Sequence, residues 1–325
     1  MARHIMQDER DRIAQLRQQR WLPSEIAREL GRAPSTITRE LARNSTHGVY
    51  GAAQAQHQAT RRRQERPLIR KVDQWEINAR VRHGLAHYHS PDEIAGRLKL
   101  DFPDEPRRHV SPQTIYTWIR RQERPLRKHW ESLLRKRGRR QSKRSQNPEA
   151  TAARASIAGR PAVIERRRRR GDFEGDTVLG PPGTGGLVTL VDRQSRFTIV
   201  SKIKHKRARH VHHKIKCRVK DLPPNKRHSI TFDNGTEFAR CPLLETHLGV
   251  AIYFAQPGRP YQRGTNENTN GLIRQFFPKG TDFRFVSYWE VQQVENLLND
   301  RPRACLGYWT PAEVFSQKTA RDVCD

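Results

Sequence analysis

The sequence predicts a mixed five-stranded α/β domain covered by helices and preceded by two α-helical helix-turn-helix domains. Three observations predict this architecture. A helix-turn-helix pattern occurs twice in the first half of the chain, and β-type segments alternate with helical ones after Gly171. The charge is also uneven, because residues 1–171 carry a formal +22 and residues 172–325 only +7. The first half is therefore expected to bind a polyanion.

The amino-acid composition limits the classes of function that this chain can have. The 325 residues include 63 Lys and Arg against 34 Asp and Glu, for a net charge of +29. Nucleic acid is the first candidate partner, and an anionic membrane surface is the second. No stretch approaches the roughly 20 apolar residues of a membrane span, and the N-terminus lacks the apolar segment of a secretory signal. The four cysteines are far apart, which argues against a zinc ribbon and a disulfide scaffold and favours a reducing, cytoplasmic setting.

The first helix-turn-helix pattern lies in residues 25–38, within a predicted domain of residues 1–60. Gly31 suits the left-handed turn between two helices, and Pro34 suits the first turn of the second. Apolar residues at helical spacing are expected to face inward: Ile13, Leu16, Ile26, Leu30, Ile37 and Leu41. The outward face of the second helix is the predicted DNA contact: Ser35, Thr36, Thr38, Arg39 and Arg43.

A second copy of the pattern falls in a predicted domain of residues 61–134. Glu93-Ile94-Ala95-x-x-Leu98 repeats residues 25–30, and Pro112-x-Thr114-Ile115 repeats residues 34–37, with ten extra residues between the halves. Residues 99–109 are expected to form a loop, and Ser111 to cap the second helix. The predicted DNA contacts are Gln113, Thr114, Tyr116 and Arg120. The alternative is a pair of helical bundles without groove contact.

Residues 135–170 are predicted to be a basic linker. They contain a basic run around Arg139 and Arg140, and five consecutive arginines at 166–170. Blocks of like charge repel one another, so the segment is expected to follow DNA phosphates. A solvated connector without a defined role is an equal alternative.

Three acids occupy notable positions in the second half. Strands are expected at 172–178, 186–191, 197–200, 229–232 and 250–254, and helices at 206–220, at 236–248 and after a cap at Thr265. Asp176 lies in the first strand, Asp233 ends the fourth, and Glu267 lies in the first turn of the last helix. Alone, each acid has an ordinary explanation as a sheet residue, a turn or a helix-start charge. Together they indicate a Mg²⁺ or Mn²⁺ site.

The acids stand in motifs that resemble a known family. The motifs are Phe-Glu-Gly-Asp-Thr at 173–177, Phe-Asp-Asn-Gly-x-Glu-Phe at 232–238 and Arg-Gly-Thr-Asn-Glu-Asn-Thr-Asn-Gly-Leu-Ile-Arg-Gln at 263–275. With 33 residues between Asp233 and Glu267, they resemble bacterial DDE transposases of the insertion-sequence IS-thirty family. Segments 276–282 and 299–315 share the likeness, which covers nearly the whole chain. Phe173, Gln256 and Tyr261 depart from the family pattern.

The resemblance implies a ribonuclease-H-like catalytic domain at residues 171–285 and a helical tail at 286–325. It implies two Mg²⁺ ions, replaceable by Mn²⁺, with Asp176 and Asp233 sharing one and Glu267 completing the site of the other. The reaction implied is cleavage that exposes a 3′-hydroxyl, followed by joining to another phosphodiester. Arg274 and Lys279 are expected to contact DNA phosphates, although a surface salt bridge would also explain Arg274.

The function expected from this resemblance is DNA transposition. The partners would be double-stranded DNA, both the terminal inverted repeats of the element and the target, with no membrane involved. A homodimer or larger assembly is expected on DNA, and helix 288–299 is a candidate for pairing. The setting would be the nucleoid of a bacterial cell. Two alternatives are a helix-turn-helix regulator with an inactive nuclease-like domain and a structural protein that binds DNA through charge alone. The histidines are expected to lie at the surface or to contact phosphates.

Overall fold

The computed structural model describes residues 4–46, 48–64, 70–135, 159–255 and 264–317. The chain forms two compact units, Met1–Arg70 and Lys71–Asp325. Within the described residues, no helix is long and apolar enough to cross a membrane.

The first unit is a small helical domain that confirms the first helix-turn-helix. It contains four helices and a short antiparallel ribbon: α1 (Gln7–Gln18), α2 (Pro23–Glu29), α3 (Pro34–Asn44), β1 (Ser45–Thr46), β2 (Val49–Tyr50) and α4 (Ala52–Gln64). Ile13, Ile26 and Ile37 are fully buried in its core. Gly31 has φ +60°, as the left-handed turn between α2 and α3 requires. Helix α4 packs on α1 and runs past the domain boundary predicted at residue 60.

The second unit begins with a helical bundle that repeats the motif. Its helices are α5 (Trp75–Ala86), α6 (Pro91–Asp101), α7 (Pro112–Arg121) and α8 (Arg124–Leu133). Ile94 and Ile115 are buried in one core with Trp118. Ser111 caps α7, because its hydroxyl accepts a hydrogen bond of 3.1 Å from the Thr114 amide. The connection between the two helices is only partly a loop, since α6 continues to Asp101 and a 3₁₀ turn follows at Pro106–Arg108.

An α/β domain completes the second unit. Its elements are α9 (Ala162–Glu165), β3 (Asp172–Leu179), β4 (Gly186–Asp192), β5 (Thr198–Ile203), α10 (Ala208–Lys220), β6 (Ser229–Phe232), α11 (Leu243–Leu248), β7 (Ala251–Phe254), α12 (Gly264–Phe276), α13 (Tyr288–Asn299) and α14 (Pro311–Ser316). The strand order is β5-β4-β3-β6-β7, with β3–β4–β5 antiparallel and β3–β6–β7 parallel. The predicted mixed five-stranded sheet is confirmed.

Apolar cores cover both faces of this sheet. Phe173, Ile230 and Ile252 pack with α10 and α11 on one face. Val178 and Val200 pack with α12 and α13 on the other. The helix predicted over 236–248 is instead a 3₁₀ turn at Thr236–Phe238 followed by α11, because Pro242 interrupts the run. Helix α12 begins at Gly264, so Thr265 lies inside its first turn and does not precede it as a cap.

The prediction that residues 135–170 are all linker is wrong for residues 159–170. Ile164 is buried, and α9 lies there. Arg170 is also buried and donates a hydrogen bond of 3.0 Å to the Val314 carbonyl, while Arg169 pairs with Asp172 at 2.9 Å. A run of arginines can pack when carbonyls and carboxylates accept its hydrogen bonds. The α/β domain therefore begins near residue 159.

The tail helix α13 belongs to the α/β domain and is not a separate element after residue 285. Its Glu295 accepts a hydrogen bond of 2.6 Å from the Val200 amide of β5. Its Asn299 both donates to and accepts from the backbone of Thr198, at 2.8 Å in each direction. The buried face of α13 is thus used within the chain and does not pair with a second copy.

Specific contacts attach the helical bundle to the α/β domain. Arg301 lies 2.9 Å from Glu93 of α6, and Arg97 lies 2.7 Å from Glu313 of α14. Gly96 faces the ring of Tyr308 so closely that a Cβ atom there would lie 2.3 Å from it. These contacts hold α6, and through it α7, against the tail of the α/β domain.

Candidate active site

Asp176 and Asp233 are neighbours at the centre of the sheet. The parallel pairing of β3 with β6 matches Asp172 to Ser229 and Glu174 to Thr231. Continuing this register by two residues places Asp233, which directly follows β6, beside Asp176. Adjacent strands are about 4.8 Å apart, so the two carboxylates leave the sheet at one point.

Backbone and side-chain donors orient both carboxylates. Asp176 accepts a hydrogen bond of 2.9 Å from the Thr177 amide at Oδ1 and one of 2.8 Å from Asn270 Nδ2 at Oδ2. Asp233 accepts one of 3.0 Å from the Gly235 amide. These hydrogen bonds fix the orientation of both side chains, whose carboxylate oxygens are ligands that divalent cations prefer.

Glu267 lies at the exposed start of α12, one helical turn before Asn270. Residues three apart share a helix face, so Glu267 is on the side of α12 that reaches Asp176. However, among the described residues no three histidine, cysteine, aspartate or glutamate side chains are close enough together to hold a metal ion. The register of β3 with β6 supports the closeness of Asp176 and Asp233, and the complete triad stays a prediction.

The two other acids in the motifs have structural contacts. Glu174 is fully buried and pairs with Arg193 at 2.5 Å. Glu237 accepts a hydrogen bond of 3.2 Å from Thr177 Oγ1 and pairs with Lys206 at 3.2 Å. Glu237 therefore supports the strand that carries Asp176.

The residues around the acid pair have the chemistry of a divalent-cation site. Asn270 Oδ1 and Asn234 Oδ1 are buried and, within the described chain, accept no hydrogen bond. A buried polar atom without a partner lowers the stability of a folded protein by about 1–3 kcal/mol. Two such oxygens near the acid pair therefore indicate a site that receives a further polar group. Carboxylate and amide oxygens are the donors that Mg²⁺ and Mn²⁺ prefer, so the residues present fit such an ion.

Comparisons with known proteins identify the family. Residues 2–44 match a helix-turn-helix domain model, and residues 167–260 match an integrase core domain model. The chain is 38% identical to the transposase for insertion sequence element IS1086 of Cupriavidus metallidurans, over 91% of this chain and 89% of that protein. It is 37% identical to the transposase for IS4351 of Bacteroides fragilis, over 98% and 97%.

It is also 36% identical to transposase InsI for IS30A of Escherichia coli, over 91% of this chain and 79% of that protein. The chain belongs to the IS30 family of insertion-sequence transposases. Its function is DNA transposition, and its core is that of a polynucleotidyl transferase. Families with this core generally depend on a divalent metal ion.

Among solved structures, the catalytic core domain of BIV integrase matches 45% of this chain and 93% of that chain, with 18% identity and a TM-score of 0.35. A score that low does not by itself establish a shared fold.

The residues of the transposase that are predicted to contact DNA differ in their exposure to solvent. On α3, Thr36 is half-buried, and the other four predicted contacts are exposed: Ser35, Thr38, Arg39 and Arg43. On α7, Thr114 is half-buried, and the other three predicted contacts are exposed: Gln113, Tyr116 and Arg120. Lys279 is exposed as well. Arg139 and Arg140 lie outside the described residues.

Arg274 is half-buried and hydrogen-bonded to backbone carbonyls. Its Nη2 donates to the Leu179 carbonyl at 2.9 Å, and its Nη1 is 3.4 Å from the Phe277 carbonyl. Burial lowers the pKa of Arg274. This side chain ties the end of β3 to the end of α12, and its contact with DNA phosphate stays a prediction.

Among the histidines, His89 is half-buried and lies near Arg301. Burial and the nearby Arg301 lower its pKa to about 3, so it is neutral at physiological pH. It therefore cannot bind a phosphate as a cation.

Two features of the site were missed by sequence reasoning. The first is Asn270, whose signal was its position three residues after Glu267. The second is a basic and aromatic surface at the start of α13, which the low net charge of the second half concealed.

Proposed function

We propose that this transposase cleaves and joins DNA strands at the terminal inverted repeats of its element with Mg²⁺ and the acids Asp176, Asp233 and Glu267. The observation that supports the proposal most directly is the register that sets Asp176 beside Asp233, with Asn270 hydrogen-bonded to Asp176. Mn²⁺ is expected to replace Mg²⁺, since the donors are all oxygens.

Each residue has a distinct role in this proposal. Asp176 and Asp233 would hold one ion, and Glu267 would supply the third carboxylate from α12. The chemistry that bound divalent ions would supply is activation of an attacking hydroxyl and stabilisation of the leaving oxygen. Asn270 orients the Asp176 carboxylate through its hydrogen bond, and Lys206 pairs with Glu237.

The two helix-turn-helix motifs supply sequence recognition. Helices α3 and α7 each present exposed polar residues and arginines, as a helix in the major groove requires. Because the ion pairs of Glu93 and Arg97 attach the second motif to the α/β domain, a site bound by α7 is held at a fixed distance from Asp176. Transposition joins two ends, so a homodimer or larger assembly on DNA is part of the proposal.

The test is a reaction with the element's own ends. Purified transposase is incubated with DNA carrying both terminal repeats, with Mg²⁺ or with EDTA, and the products are sequenced. Breaks at the repeat ends that leave 3′-hydroxyls, followed by joined strands, are expected only with Mg²⁺. Cleavage that is equally fast in EDTA, or no cleavage with either Mg²⁺ or Mn²⁺, would contradict the proposal.

The Asn270→Ala variant is expected to weaken metal binding and strand cleavage about 10- to 100-fold, because Asp176 loses the donor that orients it. Mn²⁺ affinity is measured by calorimetry, with cleavage rate as a second readout. Asn268→Ala, an exposed asparagine on the same helix, is the matched control and should leave both unchanged. Equal effects of the two variants would contradict the role of Asn270.

The Arg39→Ala variant is expected to lower affinity for the terminal repeat by about 1–3 kcal/mol and to relax specificity at one base pair, if Arg39 contacts a base edge. Binding is measured against repeat variants with single base changes. Arg28→Ala, which removes an exposed arginine from α2, is the control. A uniform loss on all sequences would show that Arg39 contacts only phosphate.

A further inference from the structure

An exposed aromatic surface marks the start of α13. The side chains of Phe285, Tyr288 and Trp289 are 83%, 55% and 69% exposed. All three lie within five residues, whereas one face of α13 is buried against β5. Large rings concentrated at the surface usually mark a binding site.

Cations surround these rings. The ammonium groups of Lys202 and Lys214 lie 5.4 Å and 5.2 Å from the centre of the Tyr288 ring, and the Arg284 guanidinium lies 5.8 Å from that of Phe285. Two acids are also present. Asp282 pairs with Arg284 at 2.6 Å, and Glu290 accepts a hydrogen bond of 2.7 Å from the Ser287 amide that begins the helix.

The basic character continues from the rings toward the acid pair. The connection from β5 to α10 exposes Lys204, Lys206 and Arg207. Lys206 pairs with Glu237, which contacts Thr177 beside Asp176. Strand pairing also puts Lys202 on the sheet face of Asp176, two strands away and about 12 Å distant.

The positive charge of this aromatic surface favours a negatively charged partner. A second copy of the chain, docked through the same surface about a twofold axis, would bring Lys202 and Lys214 against their own copies, and like charges repel. A DNA strand supplies the opposite charge along its phosphates. Phe285 and Trp289 are the two most exposed of the three rings, so they are the rings most accessible for stacking, which requires bases that have left the duplex.

We propose that Phe285 and Trp289 form a stacking platform for unpaired bases at a DNA end, with the phosphates of that strand following the exposed Lys204, Lys206 and Arg207 toward Asp176. This inference rests on the proposed function, because it assumes that the DNA end is held at the acid pair. It adds that the transposase binds an end whose terminal pairs are open in preference to a fully paired one.

The test compares two DNAs of identical terminal sequence, one fully paired and one with three unpaired nucleotides at the 3′ end. The full-length protein binds each in EDTA, so no cleavage interferes. The wild type is expected to bind the open end about fivefold or more tightly. The double variant Phe285→Leu/Trp289→Leu, which keeps the apolar area but loses the aromatic faces, should bind both DNAs equally. Phe285→Tyr/Trp289→Phe should keep the preference.

Two controls make the result specific. Leu243→Ala, which removes another exposed apolar side chain of the α/β domain, should keep the preference. Asp233→Asn should also keep it, so failure of the catalytic proposal is distinguishable from failure of this one. Equal binding of both DNAs by the wild type, or a preference retained by the leucine variant, would overturn the inference. A lower molecular mass of the leucine variant by light scattering would overturn it in favour of self-association.

Discussion

The Asp233→Asn variant is expected to lose strand cleavage and joining by a factor of about 10³ or more, while its affinity for the terminal repeats changes little. The amide keeps the shape of the side chain and the Oδ1 acceptor for the Gly235 amide, but it removes the negative charge beside Asp176. Losing several kcal/mol of transition-state stabilisation by a metal site corresponds to such a factor. DNA recognition is unaffected because α3 and α7 do not include this residue.

A matched control separates chemistry from folding. Asp221→Asn changes an exposed aspartate of the same domain, at the end of α10, and should cleave at the wild-type rate. Cleavage is followed on end-labelled DNA with Mg²⁺, and binding is measured in EDTA. Wild-type cleavage by Asp233→Asn would remove this residue from the active site.

The Arg193→Met variant is expected to lose about 3–5 kcal/mol of the free energy of unfolding. Arg193 and Glu174 are both almost fully buried, and their charged groups are 2.5 Å apart at the centre of the sheet. Methionine retains much of the side-chain volume but leaves the Glu174 carboxylate buried without its cation. An uncompensated buried charge costs this much in proteins.

Urea denaturation of the purified variant measures this effect. Arg80→Met, which breaks the more exposed pair of Arg80 and Asp101 in the same unit, should lose less than about 1 kcal/mol. Equal losses in the two variants would show that burial of the Arg193–Glu174 pair does not determine its contribution.

Periodic patterns predicted much of the fold because they depend on neighbouring residues. The strand at 229–232 and the helix at 288–299 have the predicted bounds, since the spacing of apolar residues is a local signal. Gly31 and Pro34 marked the turn and the helix start for the same reason. These features need no knowledge of distant contacts.

Distant partners explain what the sequence could not predict. The arginines at 166–170 suggested a linker, yet Arg170 binds the carbonyl of Val314, 144 residues later. Arg274 has the spacing of a DNA contact, but its hydrogen bond to Leu179 depends on how α12 packs on β3. A residue's charge and helix face do not reveal whether a carbonyl from another element is already its partner.

The candidate active site shows the same difference between features that local sequence predicts and features that depend on distant contacts. The motifs identified Asp176 and Asp233, and the sheet register explains why they are neighbours. The contribution of Asn270 required the crossing of α12 over β3, and the aromatic surface required knowing which residues of α13 stay exposed. Net charge could reveal neither feature.

We propose that the three acids together bind the metal ions of strand transfer. Anomalous X-ray scattering from a crystal of the transposase bound to its terminal-repeat DNA in the presence of Mn²⁺ tests this proposal. Mn²⁺ density is expected between Asp176 and Asp233, with Glu267 in contact with a second ion. Mn²⁺ density elsewhere in the protein, or none at these acids in a complex that cleaves its DNA, would contradict it.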